Sequence, residues 1–258
     1  MIASQLLLDA RVNRQRLAGL PLDVRPVNQD QAYQCQSALI DRMIAHYGGE
    51  TKGYKIACTN ALAQELLNSP EPFYGRLLSA FFTTSPATYR TGDFFMRVME
   101  AEFGFQFARD LPPSTTPVTR DQIADALAGV LPAIEIVDSR YAAWTDCDVP
   151  SLIADNAVHG AWVHGNLITD WRNLDLAAQA VTLHVNGKPV ESGSGAAVMG
   201  HPLNALTWLV HRLHAQGVTL KAGEYVTTGV ATNIYMAQAG DHVVADFGPV
   251  GKAELSFA

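Results

Sequence analysis

Glu100 and Glu102 sit in the middle of "VMEAEFGFQFARD", Val98 to Asp110, a stretch otherwise rich in bulky apolar residues. Side chains alternate across a strand with period two, so both carboxylates point to one face and Met99, Ala101, Phe103, Phe105 and Phe107 to the other. Like charges held close repel, more so when buried, and a positive group is expected between them. Glu135, in "LPAIEIVDS", is a third charge in an apolar strand, flanked by Ile134 and Ile136. Three carboxylates on neighbouring strands, with no cysteine or clustered histidine, form an oxygen-only set suited to a hard cation such as Mg²⁺ or Mn²⁺. The alternative is a solvated face on which Glu100 and Glu102 pair with Arg97 or Arg109.

Other chemistry-bearing residues say less on their own. Lys55, in "GYKIAC", reads alone as a surface lysine with its stem laid along apolar neighbours. Thr228-Gly229, in "VTTGV", reads alone as a strand end. His211 and His214 lie three apart on a helix without further ligands and are expected to be partly exposed. His201-Pro202 marks the start of that helix. "ESGSGAAVMG" is glycine-rich but lacks the Gly-Lys-Ser/Thr ending of a phosphate loop, and is expected to be a mobile loop. Cys58 lies near Lys55 with no paired histidine to activate it.

The elements that must position these groups change character along the chain. Apolar spacing predicts helices from Ser4 to Ala18 and from about Gln29 to Tyr47, the second stopped by Gly48-Gly49. "YKIAC" reads as a short strand, and Asn60 caps a brief helix through Leu67. Strands are then predicted at "ATYR", "RVMEAEFGFQFA", "AIEIVDS", "GAWVHGNLI", "AVTLHVNGKPVE", "EYVTTGV", "HVVADF" and "KAELSFA", with a hairpin turn at Asn186-Gly187. Two helices interrupt them, one capped at Thr119 and running to about Ala128, the other from Pro202 to about Ala215. The expected class is α+β: a helical N-terminal portion over residues 1–75 and a β-rich domain over 76–258, or one continuous domain. Strands do not alternate regularly with helices, which argues against a doubly wound nucleotide-binding sheet.

Composition narrows the function classes. Of 258 residues, 48% are hydrophobic and 17% charged, enough apolar material for a core without disulfides. The net charge of −7 and the absence of a basic stripe argue against nucleic acid and anionic membranes as partners. Three scattered cysteines match no zinc spacing and suggest a reducing compartment. Charges at Asp9 and Arg11 come too early for a signal peptide, so a soluble, cytoplasmic protein is expected.

The stretches "GYKIACT", "FYGRLL", "EAEFGFQFARDLP", "LPAIEIVDSR", "IADNA", "GHPLNALTWLVHRL", "LKAGEYVTTG" and "ADFGPVG" occur in this order along nearly the whole chain. Together they resemble the 2-keto-4-pentenoate hydratase and 4-oxalocrotonate decarboxylase branch of the fumarylacetoacetate hydrolase superfamily. The resemblance implies a distorted β-roll or sandwich with helices packed outside, assembled into homo-oligomers. It makes Glu100, Glu102 and Glu135 the ligands of one divalent cation, Mg²⁺ or Mn²⁺. It makes Lys55 an active-site lysine that binds substrate carboxylate or moves protons. Thr228 and Gly229 fall where the family contacts the pyruvyl end of its substrate, and Tyr74 and Gly75 are expected to line the pocket. Asp155 and Asn156 match a stretch near the site without an assigned role.

Two departures bear on the reaction. Hydratases of this branch commonly carry Asp where this chain has Phe73, and the Ser that follows "ADNA" in the family is here Val158, followed by His159. Glu71 is the expected substitute for that Asp, and His159 for that Ser. The implied activity is hydration of 2-hydroxypenta-2,4-dienoate to 4-hydroxy-2-oxopentanoate, in the breakdown of aromatic compounds. Decarboxylation of 2-oxohex-3-enedioate, favoured by Phe73, is the alternative. A catalytically silent subunit supporting a pathway enzyme is a third reading.

Overall fold

A computed structural model describes residues 1–258. Helix α1 (Ile2–Val12) is followed by α2 (Gln29–Tyr47), whose first turn is capped by the Asn28 carboxamide accepting from the Gln31 N–H. Then come strand β1 (Thr51–Ala57), helix α3 (Ala61–Leu66) and strands β2 (Phe73–Leu78), β3 (Phe82–Thr84), β4 (Ala87–Tyr89) and β5 (Val98–Phe107). Helix α4 (Arg120–Ala126) precedes β6 (Leu127–Val137), and α5 (Val149–Ala154) precedes β7 (His159–His164). The hairpin β8 (Ala180–Val185) and β9 (Lys188–Ser194) turns at Asn186-Gly187, both with positive φ, as this turn type demands. The chain ends with α6 (Pro202–Ala215), β10 (Tyr225–Val230), β11 (Tyr235–Met236), β12 (His242–Asp246) and β13 (Lys252–Phe257). No helix is long and apolar enough to cross a membrane, and all three cysteines are free thiols.

Two sheets carry the fold. The larger runs β2-β1-β10-β5-β6-β7-β3, with β11 added to β5, and the smaller runs β4-β13-β12-β8-β9. Parallel β1–β10, β3–β7 and β4–β13 pairs mix with antiparallel ones, so the sheets are mixed and curled. Phe103 from the large sheet meets Phe247, beside the small one, edge to face at 4.9 Å. One cluster of 66 buried apolar residues reaches from Ala3 to Phe257. The boundary expected near residue 75 lies inside β2, and β1 and β2 are strands of the large sheet. What precedes β1 is a helical layer: α1 lies against α2, and α2 against α5.

Three local expectations differ from the structure. Helix α1 stops at Val12, and Arg14 takes a left-handed φ of 56°. Helix α5 was not anticipated: six residues with a proline in the first turn are too short to show a helical period. "ESGSG" is not a free loop, because residues through Ser194 pair with β8.

Candidate active site

Register assembles the acidic cluster. Along β5 and β6, Glu100 stands directly opposite Glu135, and Glu102 opposite Ala133, which puts all three carboxylates on one face of the large sheet. One oxygen from each lies within 4.8 Å of the others. Glu102 and Glu135 are fully buried, and Glu100 is half-buried on the wall of a cavity of about 260 Å³.

The positive group expected among them is Lys55. It lies on β1, three strands away from β6 in the order β1-β10-β5-β6, yet its Nζ is 3.2 Å from Glu135 Oε1. A contact across two intervening strands reports how strongly the sheet curls toward this face. Arg97 instead donates to the Ala237 and Thr91 carbonyls, so the pairing with Arg97 does not form. Lys55 is buried and also lines the cavity. Burial alone would lower its pKa, but Glu135, Glu100 and Glu102 outweigh that and raise it, so it is an ammonium.

Each buried carboxylate has one oxygen held and one left over. Glu135 Oε1 contacts Lys55 and lies 2.8 Å from His159 Nδ1, while Oε2 has no partner. Glu102 Oε2 accepts from the Thr227 hydroxyl and from the Gly229 N–H at 3.1 Å, while Oε1 has no partner. A buried carboxylate oxygen without a partner costs several kcal/mol. The charges are unbalanced as well, since three carboxylates face one ammonium. Burial first, then repulsion from Glu135 and Glu100, pushes Glu102 well above the usual range. Burial and Glu135 push Glu100 up to about 7. Glu135 is also pushed up by burial, but Lys55 and the His159 hydrogen bond outweigh this and hold it low. Unpaired oxygens, an all-carboxylate donor set and surplus negative charge together fit one divalent cation held by Glu100, Glu102 and Glu135.

The neighbouring backbone is shaped to this end. Gly229 has φ +93°, and a Cβ there would lie 2.0 Å from Thr59 Oγ1, so only glycine brings its N–H to Glu102. The turn before β7 is more unusual. Asn156, Ala157 and Val158 are all left-handed, with φ of 53°, 51° and 55°, a conformation that persists only where the surroundings fix it. Asn156 Oδ1 accepts from the Arg76 N–H and its Nδ2 donates to the Arg76 carbonyl. A Cβ on Gly75 would lie 2.5 Å from the Asn156 carbonyl oxygen, so glycine lets the turn pack on β2. Below it the buried Arg140 guanidinium pairs with Asp155 and donates to the Asp155 and His159 carbonyls. Arg11, on α1, also donates to the His159 carbonyl at 2.6 Å. Asp155 and Asn156 thus hold the turn that delivers His159 to Glu135.

Several expected site residues stand elsewhere. Thr228 donates to the Phe103 carbonyl, and Thr227 is the threonine on the acidic face. Tyr74 pairs with Ile56 in register, not with Lys55, so it projects from the opposite face; its hydroxyl donates to Gln216 and its ring stacks on Tyr33. Gly75 does pair with Lys55, but its part is to admit the turn above it. Glu71 accepts from Gln29 of α2 and lies off the cavity wall, so it does not replace the acid absent at Phe73, itself a buried core residue. His159 stands behind Glu135, off the cavity wall, with burial lowering its pKa against the opposing pull of Glu135. Burial pushes the Cys58 thiol up to about 12, which leaves it un-ionised. Besides Thr227, Thr59 went unread: its buried hydroxyl has no partner and lines the cavity.

Residues 56–257 match the fumarylacetoacetate (FAA) hydrolase C-terminal family. The 2-keto-4-pentenoate hydratase of Paraburkholderia xenovorans is 33% identical, over 99% of this chain and 93% of that one. The 2-hydroxyhexa-2,4-dienoate hydratase of Comamonas testosteroni is 32% identical, over 98% and 95%. The structure of 4-oxalocrotonate decarboxylase from Pseudomonas putida G7, complexed with magnesium and adipate, superimposes with a TM-score of 0.91 over 100% of this chain and 96% of that one, at 25% identity. Fold and site therefore define a class, the lyases that work with a divalent metal. Within it, the chain belongs to the fumarylacetoacetate hydrolase family, in the branch that holds these hydratases and this decarboxylase.

Proposed function

We infer that the protein is a hydratase that adds water to 2-hydroxypenta-2,4-dienoate or a close homologue, giving a 4-hydroxy-2-oxo acid, with Mg²⁺ or Mn²⁺ as its ion. The observation that carries this reading is the pattern of satisfied and unsatisfied oxygens. Glu102 and Glu135 are each pinned by one oxygen and free at the other, beside a cavity that Glu100 and Lys55 both line. When bound, the cation would withdraw electron density from the oxo and carboxylate oxygens of the substrate, favouring enolisation.

The chain's own residues supply the rest. Lys55 has one donor directed at Glu135 and two left for a substrate oxygen, and its raised pKa keeps it charged. Thr227 and the Gly229 N–H fix the rotamer of Glu102, and His159 with Lys55 fixes that of Glu135. His159 acts through Glu135 and is a positioning residue. Of the cavity's 19 lining residues, 12 are hydrophobic, and they limit the water that can compete with the substrate.

Phe73 supports a second reading, decarboxylation of 2-oxohex-3-enedioate, because no carboxyl stands there to shuttle protons for hydration. Incubation with Mg²⁺ and each compound separates the two. Loss of the dienoate absorbance with formation of 4-hydroxy-2-oxopentanoate supports hydration, and CO₂ from the hexenedioate supports decarboxylation. Neither reaction, at unchanged circular dichroism, favours a silent subunit. A homo-oligomeric, cytoplasmic enzyme, alone or in complex with a pathway partner, belongs to the same proposal, and light scattering tests its self-assembly.

A further inference from the structure

The cavity is chemically lopsided. Its charged lining residues, Lys55 and Glu100, both belong to the acidic end. The rest of the wall is built by Leu62, Ala63 and Leu66 of α3 together with Trp144, Val158 and Ile234. No arginine or histidine lines it, and no lysine except Lys55.

The polar side chains away from the acidic end are uncharged, and Asn60, Thr232 and Asn233 each already make a hydrogen bond. Asn60 Oδ1 accepts from the Ala63 N–H to cap α3, Thr232 donates to the Asn233 carbonyl at 2.7 Å, and Asn233 donates to Glu191 at 3.0 Å. The rim is apolar too, since Leu62, Leu66 and Ile234 are 65%, 48% and 41% exposed. A ligand whose oxo-acid head meets Lys55 therefore points its other end at hydrocarbon.

We propose that the far end of the substrate is an uncharged alkyl or aryl group, and that this wall discriminates against substrates bearing a second carboxylate. A charged tail would lose hydration without gaining a cation, whereas a hydrocarbon tail gains burial. The inference rests on the oxo-acid reading of the site and adds the substrate class.

Binding of unreactive 2-oxo acids, followed by calorimetry on the intact protein with saturating MgCl₂, tests it without requiring turnover. 2-Oxohexanoate is expected to bind about fourfold tighter than 2-oxopentanoate, for one more buried methylene, and at least about tenfold tighter than 2-oxohexanedioate. Leu66→Arg, at an exposed position, is expected to reverse the order of the last two. Equal or tighter binding of the diacid by the unaltered protein overturns the proposal while leaving the oxo-acid site standing. Binding of none of the three by the folded protein removes the oxo-acid reading, and this inference with it.

Discussion

The two ends of the cavity are made of different material. The acidic end rests on β1, β5, β6 and β10, inner strands of the large sheet, where Glu102, Glu135, Lys55 and Thr227 are buried. The other end rests on α3, a six-residue helix with no buried residue and two exposed leucines. Groups that carry charge in the core must be held in place, because each unbalanced one costs several kcal/mol. Groups on α3 contribute shape and hydrocarbon at almost no structural cost. On the proposed reading, reaction chemistry and substrate preference are thus carried by parts of the molecule with very different tolerance to change.

The largest effect is expected from Glu135→Gln, which lowers the charge of the set and weakens the anchor for both Lys55 and His159. Turnover should fall by more than about a thousandfold, and Mn²⁺ binding followed by electron paramagnetic resonance should weaken in parallel. Chelation by EDTA should abolish turnover of the unaltered enzyme, and added Mg²⁺ restore it. Next, Lys55→Met leaves the buried carboxylates without their cation and should cost about 3 kcal/mol of stability in urea unfolding. Part of that loss should return when a divalent ion is added, which a purely packing role would not predict. Thr227→Val and Thr228→Val sharpen the contrast within one strand. The first should reduce kcat about tenfold or more, through a loosened Glu102. The second should leave kcat unchanged and cost about 1 kcal/mol of stability. The smallest structural effect is expected at the rim: Leu62→Ala should change stability by no more than about 0.5 kcal/mol and raise KM for a long-tailed dienoate a fewfold.

The acidic cluster was legible because its signal is local. Glu-x-Glu in an apolar strand fixes a shared face, and Glu135 between isoleucines repeats the anomaly. Helix ends were legible where a cap or a first-turn proline marks them, as at Asn60, Thr119 and Pro202. Misplaced residues depended on long-range register instead. Which of Thr227 and Thr228 faces the acids is settled by pairing with β5, across more than 120 residues of sequence. Tyr74, expected with Gly75 at the pocket, projects from the other face for the same reason, since β1–β2 pairing gives the Lys55 face to Gly75. Glu71 is held by Gln29, and the left-handed turn before His159 is held by Arg140 and Arg76. Nothing near those residues in the chain announces such partners.

Arg11 belongs to the first helix, yet its guanidinium rests on the carbonyl of His159, 148 residues away. The amino-terminal segment is therefore wired to the imidazole that braces Glu135. Clipping the first dozen residues, by protease or by cloning design, would spare Glu100, Glu102 and Glu135 and still slacken the brace. Fusion tags and truncations at that terminus should accordingly be judged by catalytic rate as well as by yield.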